Sequence, residues 1–395
     1  MFSTMDGLKS SLVIICILVA VACKWRVSAF LHEARPCNLG RPRQSRFQHV
    51  QLCAGRPRGR RKQPPSSDRG FGSTDSAPPV VASNDASIAS DGDKSQNQRI
   101  SGRKIYSLPA LYDMAFGYRN FEEEVAFLIE QHQLLHEGRP PARILELAAG
   151  PARHSIYALQ SAYTKFARVM DMSSEMVEYG KGIAAEELNC PHADGKGLLL
   201  DSFDYLQGDM RSFDIEGLHD SAWILLGSLQ HLTTNEEVIS CFESIHKALS
   251  PGGTLILELP HPRETFSLVE CTRNGWEVPL EDENGKEYGE LAIVWGDDDD
   301  AFDPIKQVRQ FTVSMDLKLH QNGNEGRNSG GEKQEELQSV REVVPMRHFT
   351  AQEINALAKL AGFQVSSFHG ALAENVDVND ENEAFRLVCV LQKLQ

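Results

Sequence analysis

The sequence predicts an α/β protein: a doubly wound parallel sheet carrying an antiparallel β insertion toward its C-terminal end. Three observations predict it. From Tyr106 to Leu259, short apolar strands alternate with single helical segments, a spacing that demands crossover connections and therefore parallel strands. Capping signals mark where several of those helices begin. Beyond Pro260 the helical period stops, and residues 262–346 hold period-two segments such as "GELAIVW" and "VRQFTVSMDLKL".

The elements follow in order. Asn120 and Glu123 form a capping box ahead of a helix whose Val125, Leu128, Ile129 and Leu135 share one face. The first strand, Ile144–Leu147, runs into a tight turn around Gly150, and a helix opens near Arg153. A second strand, Ala167–Met170, ends at Asp171, with Ser173 or Ser174 capping the helix after it. A third strand ends in "YLQGDM", Tyr205–Met210. A fourth, "SAWILLG", leads to "SLQHLTTNEEV", where Thr234 and Glu237 make another capping box. That helix stops at "LSPGG", and the fifth strand is Thr254–Leu259. After the insertion, whose Gln321–Gln334 reads as a mobile hairpin tip, a helix capped by Thr350 and Glu353 returns. Strands "FQVSSF" and "AFRLVCVL" close the chain.

The first quarter has a different composition. Residues 1–104 hold 17 Lys/Arg against 7 Asp/Glu, leaving 23 against 48, net −25, in the remainder. So acidic a domain disfavours phosphate backbones, and nucleic acid is not an expected partner. Leu12–Cys23 is apolar but shorter than the roughly 20 residues a span needs. With Lys9 before it and Val27-Ser28-Ala29 after it, residues 1–29 read as a signal peptide. Residues 34–62 carry nine Arg/Lys and no acid, so 30–63 is transit-peptide-like and 64–104, rich in Ser, Asp, Ala and Pro, reads as a disordered linker. A signal peptide, a "SAF" junction with Phe30 and a basic segment resemble the bipartite presequence of algae whose plastids lie within the endomembrane system. That resemblance implies a plastid destination and no stable membrane association after processing; the competing readings are the secretory pathway or a single N-terminal anchor. Four of the eight cysteines, Cys190, Cys241, Cys271 and Cys389, fall in the remainder without a C-x-x-C pair, so neither zinc nor a disulfide framework is indicated.

The ligand can be argued from three acids. Glu146 lies near the end of strand one, where α/β ligand crevices open. A dinucleotide brings a pyrophosphate that a carboxylate repels, whereas S-adenosylmethionine (SAM) brings an ammonium and a sulfonium, which it attracts. Small residues at Ala148, Gly150 and Ala152 let a ligand approach the backbone. Asp171, 21 positions after Gly150, is placed to accept ribose hydroxyls, and Asp209 to accept an adenine amino group with Met210 against the ring.

On these residues the chain resembles the class I SAM-dependent methyltransferases: "LELAAGPARHS", "VMDMSSEMVEYG", "LQGDMRSFD" and "LSPGGTLILE" look like that family's successive motifs over about Tyr106–Gln395. The resemblance implies a seven-stranded Rossmann-like sheet with an antiparallel last strand in a domain spanning 105–395. It implies SAM as cofactor, with Glu146, Ala148 and Gly150 at the methionine portion, Asp171 at the ribose and Asp209 at the adenine. Arg153, Met172 and Met210 complete the expected cofactor contacts. The nearest pattern, in "LYDMAFGYRNFEEE", "GDMRSF", "HLTT" and "PRETF", is that of aminosugar N-methyltransferases. Ala152 stands where that family shows a last glycine, Pro151 removes an amide donor, and Phe116 stands where an aromatic hydroxyl is usual.

Methyl transfer needs alignment and, for an amine or hydroxyl acceptor, a destination for a proton. His231, after strand four, is the candidate base or orienting group; Tyr118, and beside it Tyr112, are candidates to meet cofactor or acceptor. The structural readings are a histidine packed at a helix start and ordinary aromatic packing. His261 and Arg263 read either as substrate-side residues or as turn residues, and Asp297–Asp300 as a solvated acidic loop without metal-ligand spacing. The expected function is methyl transfer to nitrogen or oxygen of a small-molecule acceptor, with an oligomer compatible. The competing reading is a catalytically inactive SAM-fold binding or partner protein.

Overall fold

The computed structural model describes residues 104–394 apart from 193–194, 196, 216, 266–273, 283 and 320–335. The signal, transit and linker readings up to residue 103, the hairpin tip Gln321–Gln334 and Cys271 lie outside the described residues. Among those described, no helix is long and apolar enough to cross a membrane.

Seven strands form the main sheet: β1 (Arg143–Leu147), β2 (Phe166–Asp171), β3 (Phe203–Gln207), β4 (His219–Ile224), β5 (Leu249–Pro260), β11 (Phe363–His369) and β12 (Arg386–Lys393). Their spatial order is β11-β12-β5-β4-β1-β2-β3. β1 pairs in parallel with β2 and β4, β2 with β3, and β4 with β5, while β12 runs antiparallel to both β5 and β11. The doubly wound sheet with an antiparallel last strand is therefore the fold observed. Period two explains its burial. In β12, Leu387, Cys389 and Leu391 join one hydrophobic layer, and Val388 and Val390 join the layer on the opposite face. Each such buried aliphatic side chain contributes about 1.5–3 kcal/mol.

Helices cover both faces: α1 (Pro109–Phe116), α2 (Phe121–Leu135), α3 (Arg153–Gln160), α4 (Ser174–Glu187), α5 (Asn235–Ala248) and α6 (Ala351–Leu360). Their starts match the local capping chemistry. Asn120 accepts the Glu123 amide, Ser173 accepts the Met176 amide, and Thr234–Glu237 and Thr350–Glu353 are reciprocal capping boxes.

The insertion is a second, antiparallel sheet: β6 (Asn274–Glu281), β7 (Glu287–Trp295), β9 (Val308–Leu319) and β10 (Glu336–Arg347) in the order β10-β9-β7-β6, with the short β8 (Phe302–Asp303) beside β9. Its apolar face, including Leu291, Ile293, Val313, Met315 and Val344, packs on Ile105, Leu108, Leu111 and Ala115 of the N-terminal segment. Trp276 clips the layers together, donating its indole N–H to the Ala115 carbonyl at 2.8 Å. The insertion thus holds α1 over the C-terminal ends of β1, β2 and β4.

Candidate active site

The turn after β1 is where sequence and conformation part company. It holds one glycine, yet Ala148, Gly150 and Ala152 have φ of 50°, 55° and 61°. Alternate residues of the turn are thus left-handed, a conformation that costs an alanine about 1–2 kcal/mol. The surroundings hold it there. Ala149 N–H donates to the Met170 carbonyl at 3.2 Å, Gly150 N–H to Asp171 Oδ2 at 2.8 Å, and the Tyr205 hydroxyl to the Gly150 carbonyl.

Asp171 is the centre of this arrangement. Its Oδ1 accepts the Ser173 amide at 2.9 Å while Oδ2 accepts Gly150, and the Met172 amide also favours the carboxylate, which keeps acceptor capacity for an incoming donor. Burial raises its pKa against the pull of those amides. Gly208 N–H donates to the Asp171 carbonyl at 2.9 Å, tying the end of β3 and hence Asp209 to the same edge. Asp209 is part-exposed and paired with Arg211, whose Nη2 lies 2.6 Å from Oδ2; Arg211 holds its carboxyl below the usual range. Met210 is 9% exposed, at the edge of the main core, and Met172 is 68% exposed on the lip.

Two of the predicted residues are engaged by protein groups. Glu146 is 2% exposed and lies beneath the turn. Ser155 donates both its amide, at 3.1 Å, and its hydroxyl to Oε2, and His154 Nδ1 lies 3.8 Å from Oε1. Burial raises its pKa, opposed by His154 and Ser155. Its position ties β1 to the first turn of α3. Arg153 spends its guanidinium on Asp113 of α1, at 2.5 Å, and Glu187 of α4, at 2.6 Å. It locks α1 to the helix layer.

On the acceptor side, β4 runs into a 3-10 turn, Ser228–His231. Ser228 Oγ reaches the Ala148 carbonyl at 3.4 Å, so this turn abuts the β1 turn. Burial lowers the pKa of His231. Tyr118 lies at the outer rim, 45% exposed and edge-on to Trp276 at 6.4 Å. The inner positions belong to Tyr112, whose Cε1 would meet a methyl on Gly150 at 3.7 Å, and to Tyr106, 3.0 Å from His231 Nε2. The rings of Tyr106, Tyr112, Phe116, Trp276 and Trp295 form a row with centroid separations of 4.6–6.0 Å. His261 and Arg263 bind carbonyls of the loop before β12, at Val378, Asp380 and Ala384.

Below the site runs a charged chain with little sequence signal. Arg119 donates Nε to both oxygens of Glu124 at 2.9 Å and Nη2 to both oxygens of Glu258 at 3.1 Å. Glu258 also accepts the Leu226 amide and pairs with Arg386, and Glu124 meets His154 Nε2 at 2.7 Å. Tyr106, Arg119 and Glu258 were not singled out because each is isolated in sequence; only the pairing across 139 positions reveals the ion pair.

No family profile and no curated protein matches the chain. Solved structures do. A SAM-dependent methyltransferase from Clostridium acetobutylicum is 13% identical with a TM-score of 0.52, covering 72% of this chain and 97% of its own. DesVI of Streptomyces venezuelae is 17% identical at 0.51, covering 72% and 98%. The sugar N-methyltransferase KedS8 of a Streptoalloteichus species is 14% identical at 0.51, covering 80% and 100%. At such identities the likeness speaks to the fold: the chain adopts the α/β fold of SAM-dependent methyltransferases.

Proposed function

We propose that this protein is a SAM-dependent methyltransferase acting on a nitrogen or oxygen of a small-molecule acceptor. The observation that carries the reading is Asp171: a carboxylate at the end of β2, held by the backbone amides of Gly150 and Ser173 beside the left-handed turn after β1, with acceptor capacity left over. Such a group fits a vicinal diol, and the fold is one whose neighbours are SAM-dependent methyltransferases. Asp209, kept ionised by Arg211, is fitted to accept an exocyclic amino group from the next strand end. Bound SAM supplies a sulfonium-activated methyl group for in-line displacement.

The chain's own residues would then orient and deprotonate. Tyr112 and the Ala148–Ala152 turn wall the cofactor side, and the aromatic row excludes water from the acceptor side, where desolvation strengthens each polar contact. His231, half-buried and with its pKa lowered by desolvation, is suited to take or orient the proton that an amine or hydroxyl acceptor gives up. The acidic domain favours a small neutral or cationic acceptor over nucleic acid. We extend the reading to delivery: residues 1–63 would address the protein to a plastid.

Calorimetric titration of SAM into the full chain and into Asp171→Asn tests the cofactor. Wild type should bind about one SAM per chain. The variant keeps the volume but sets an NH₂ donor against one of the two backbone amides and loses charge-assisted acceptance worth about 3 kcal/mol for two hydroxyls, so binding should weaken at least roughly a hundredfold. Folded wild type that binds no SAM overturns the enzyme reading and leaves a partner-binding protein. Equal affinity in the two overturns the role of Asp171.

A further inference from the structure

The first described turn, Ile105–Ser107, is a strap across the mouth of the site, fastened to three different elements. Ile105 N–H donates to Glu342 Oε2 of β10 at 2.8 Å. The Tyr106 carbonyl accepts from Ser173 Oγ, two residues beyond Asp171, at 3.2 Å. The Tyr106 hydroxyl lies 3.0 Å from His231 Nε2, the two rings edge-on at 79° with centroids 5.5 Å apart. Ile105 is fully buried, which anchors the strap in the core of the insertion.

The direction of the phenol–imidazole bond follows from the surroundings. Tyr106 is half-buried beside Tyr112, Glu342 and Asp171, and its pKa is pushed up by desolvation first and by those groups after it. The phenol therefore keeps its proton. Burial also keeps His231 neutral. Between a neutral phenol and a neutral imidazole, the O–H is the stronger donor and the bare ring nitrogen the stronger acceptor.

We propose that Tyr106 is a positioning residue of the acceptor side: held by the strap, its hydroxyl donates to Nε2 of His231, fixing the ring orientation and placing the ring proton on Nδ1. The role for catalysis rests on the methyltransferase reading; the tautomer does not. A second consequence is that His231 is set only while the strap bridges β10, the start of α4 and the turn after β4. Displacing Ile105–Ser107 releases the ring.

Nitrogen NMR of the full chain with labelled histidines tests this, with His231→Gln identifying the resonances. In wild type, His231 should be the Nδ1–H tautomer across the neutral range, with Nε2 unprotonated. Tyr106→Phe keeps the ring and the Ser173 contact but removes the donor. It should mix the tautomers, moving the Nδ1 and Nε2 resonances of the neutral ring toward each other. SAM affinity should stay within about twofold, because the Tyr106 carbonyl still holds the strap by Ser173. An Nε2–H imidazole in wild type, or an unchanged Nδ1–H tautomer in Tyr106→Phe, overturns the proposal. Loss of SAM binding by wild type would instead sink the methyltransferase reading while the tautomer measurement still decides the Tyr106 assignment.

Discussion

Arg119→Met removes the cation that joins the segment between α1 and α2 to the floor of the site. Its side chain is 5% exposed and that of Glu258 is 1% exposed. Burial works to lower the pKa of Arg119, but Glu258 and Glu124 outweigh it and hold the guanidinium above its usual range. Glu258 is the mirror case: burial pushes it up, and Arg119 and Arg386 hold it below the ordinary glutamate value. Methionine fills the volume but leaves Glu258 with only the half-exposed Arg386, at 3.3 Å, and the Leu226 amide. Stranding one partner of a buried pair costs about 3–5 kcal/mol. The sign with pH follows. Because Glu258 has a depressed folded pKa, its contribution to wild-type stability is present above the unfolded carboxyl pKa and is lost as pH falls through the folded value. In the variant the uncompensated carboxylate can escape by taking up a proton, so the cost should be larger at pH 8 than at pH 5. Urea denaturation at the two pH values gives both numbers, and Arg119→Met/Glu258→Gln closes the cycle, recovering about 2 kcal/mol relative to the sum of the single variants. A loss below about 1 kcal/mol at pH 8, or a cost that grows as pH falls, would refute the reasoning.

Two further outcomes are expected. His132, whose Nδ1 meets Thr254 Oγ1 at 2.9 Å and whose ring stacks on His136, and His219, fully buried with Nδ1 3.3 Å from the Ala248 carbonyl, are both pushed by burial down to about 4. Depressed histidines contribute stability above their unfolded pKa of about 6.5, lost as pH falls toward 4, on the order of 3 kcal/mol each; His219→Asn should remove about half of that pH slope in urea midpoints, and an unchanged slope would exclude His219 as its source. Ala148→Gly relieves a left-handed alanine at the expense of chain entropy, so it should stabilise by about 0.5 kcal/mol, whereas the fully buried Ala152 also loses a packed methyl and its glycine variant should be near neutral. Melting curves of the two variants that move together would contradict that distinction.

What the sequence made legible was local. Ser173, Thr234 and Thr350 announce their helices because a cap is satisfied within three residues. The strands announce themselves through alternation, and β12 is recognisable because its alternate residues face two different layers. Asp171 and Asp209 were readable because strand ends are readable. Glu146 shows the limit. It shares strand parity with Ile144, which lies in the helix-covered layer opposite Leu145 and Leu147, but whether its carboxylate reached forward to the crevice or down to α3 depended on Ser155 and His154. Tyr106 and Arg119 were illegible for a stronger reason: their partners, His231 in the turn after β4 and Glu258 on β5, lie 125 and 139 positions away.

The turn after β1 carries the same distinction into function. A count of glycines in "AAGPA" suggests a degraded ligand loop, but the count measures permission, not conformation. The three positive φ values are present regardless, two of them carried by alanines that the interlocking bonds to Met170, Asp171 and Tyr205 hold in place. Within the protein, a methyl on Gly150 would meet only Tyr112 and Met176, at ordinary contact distances of 3.7 and 3.9 Å. Internal packing therefore does not require the bare backbone at that position. The residue without a side chain is also the one whose amide fixes Asp171. The left-handed φ of 55° is the physical account: Gly150 adopts it without strain at the position that orients Asp171, while Ala148 and Ala152 bear its cost on either side.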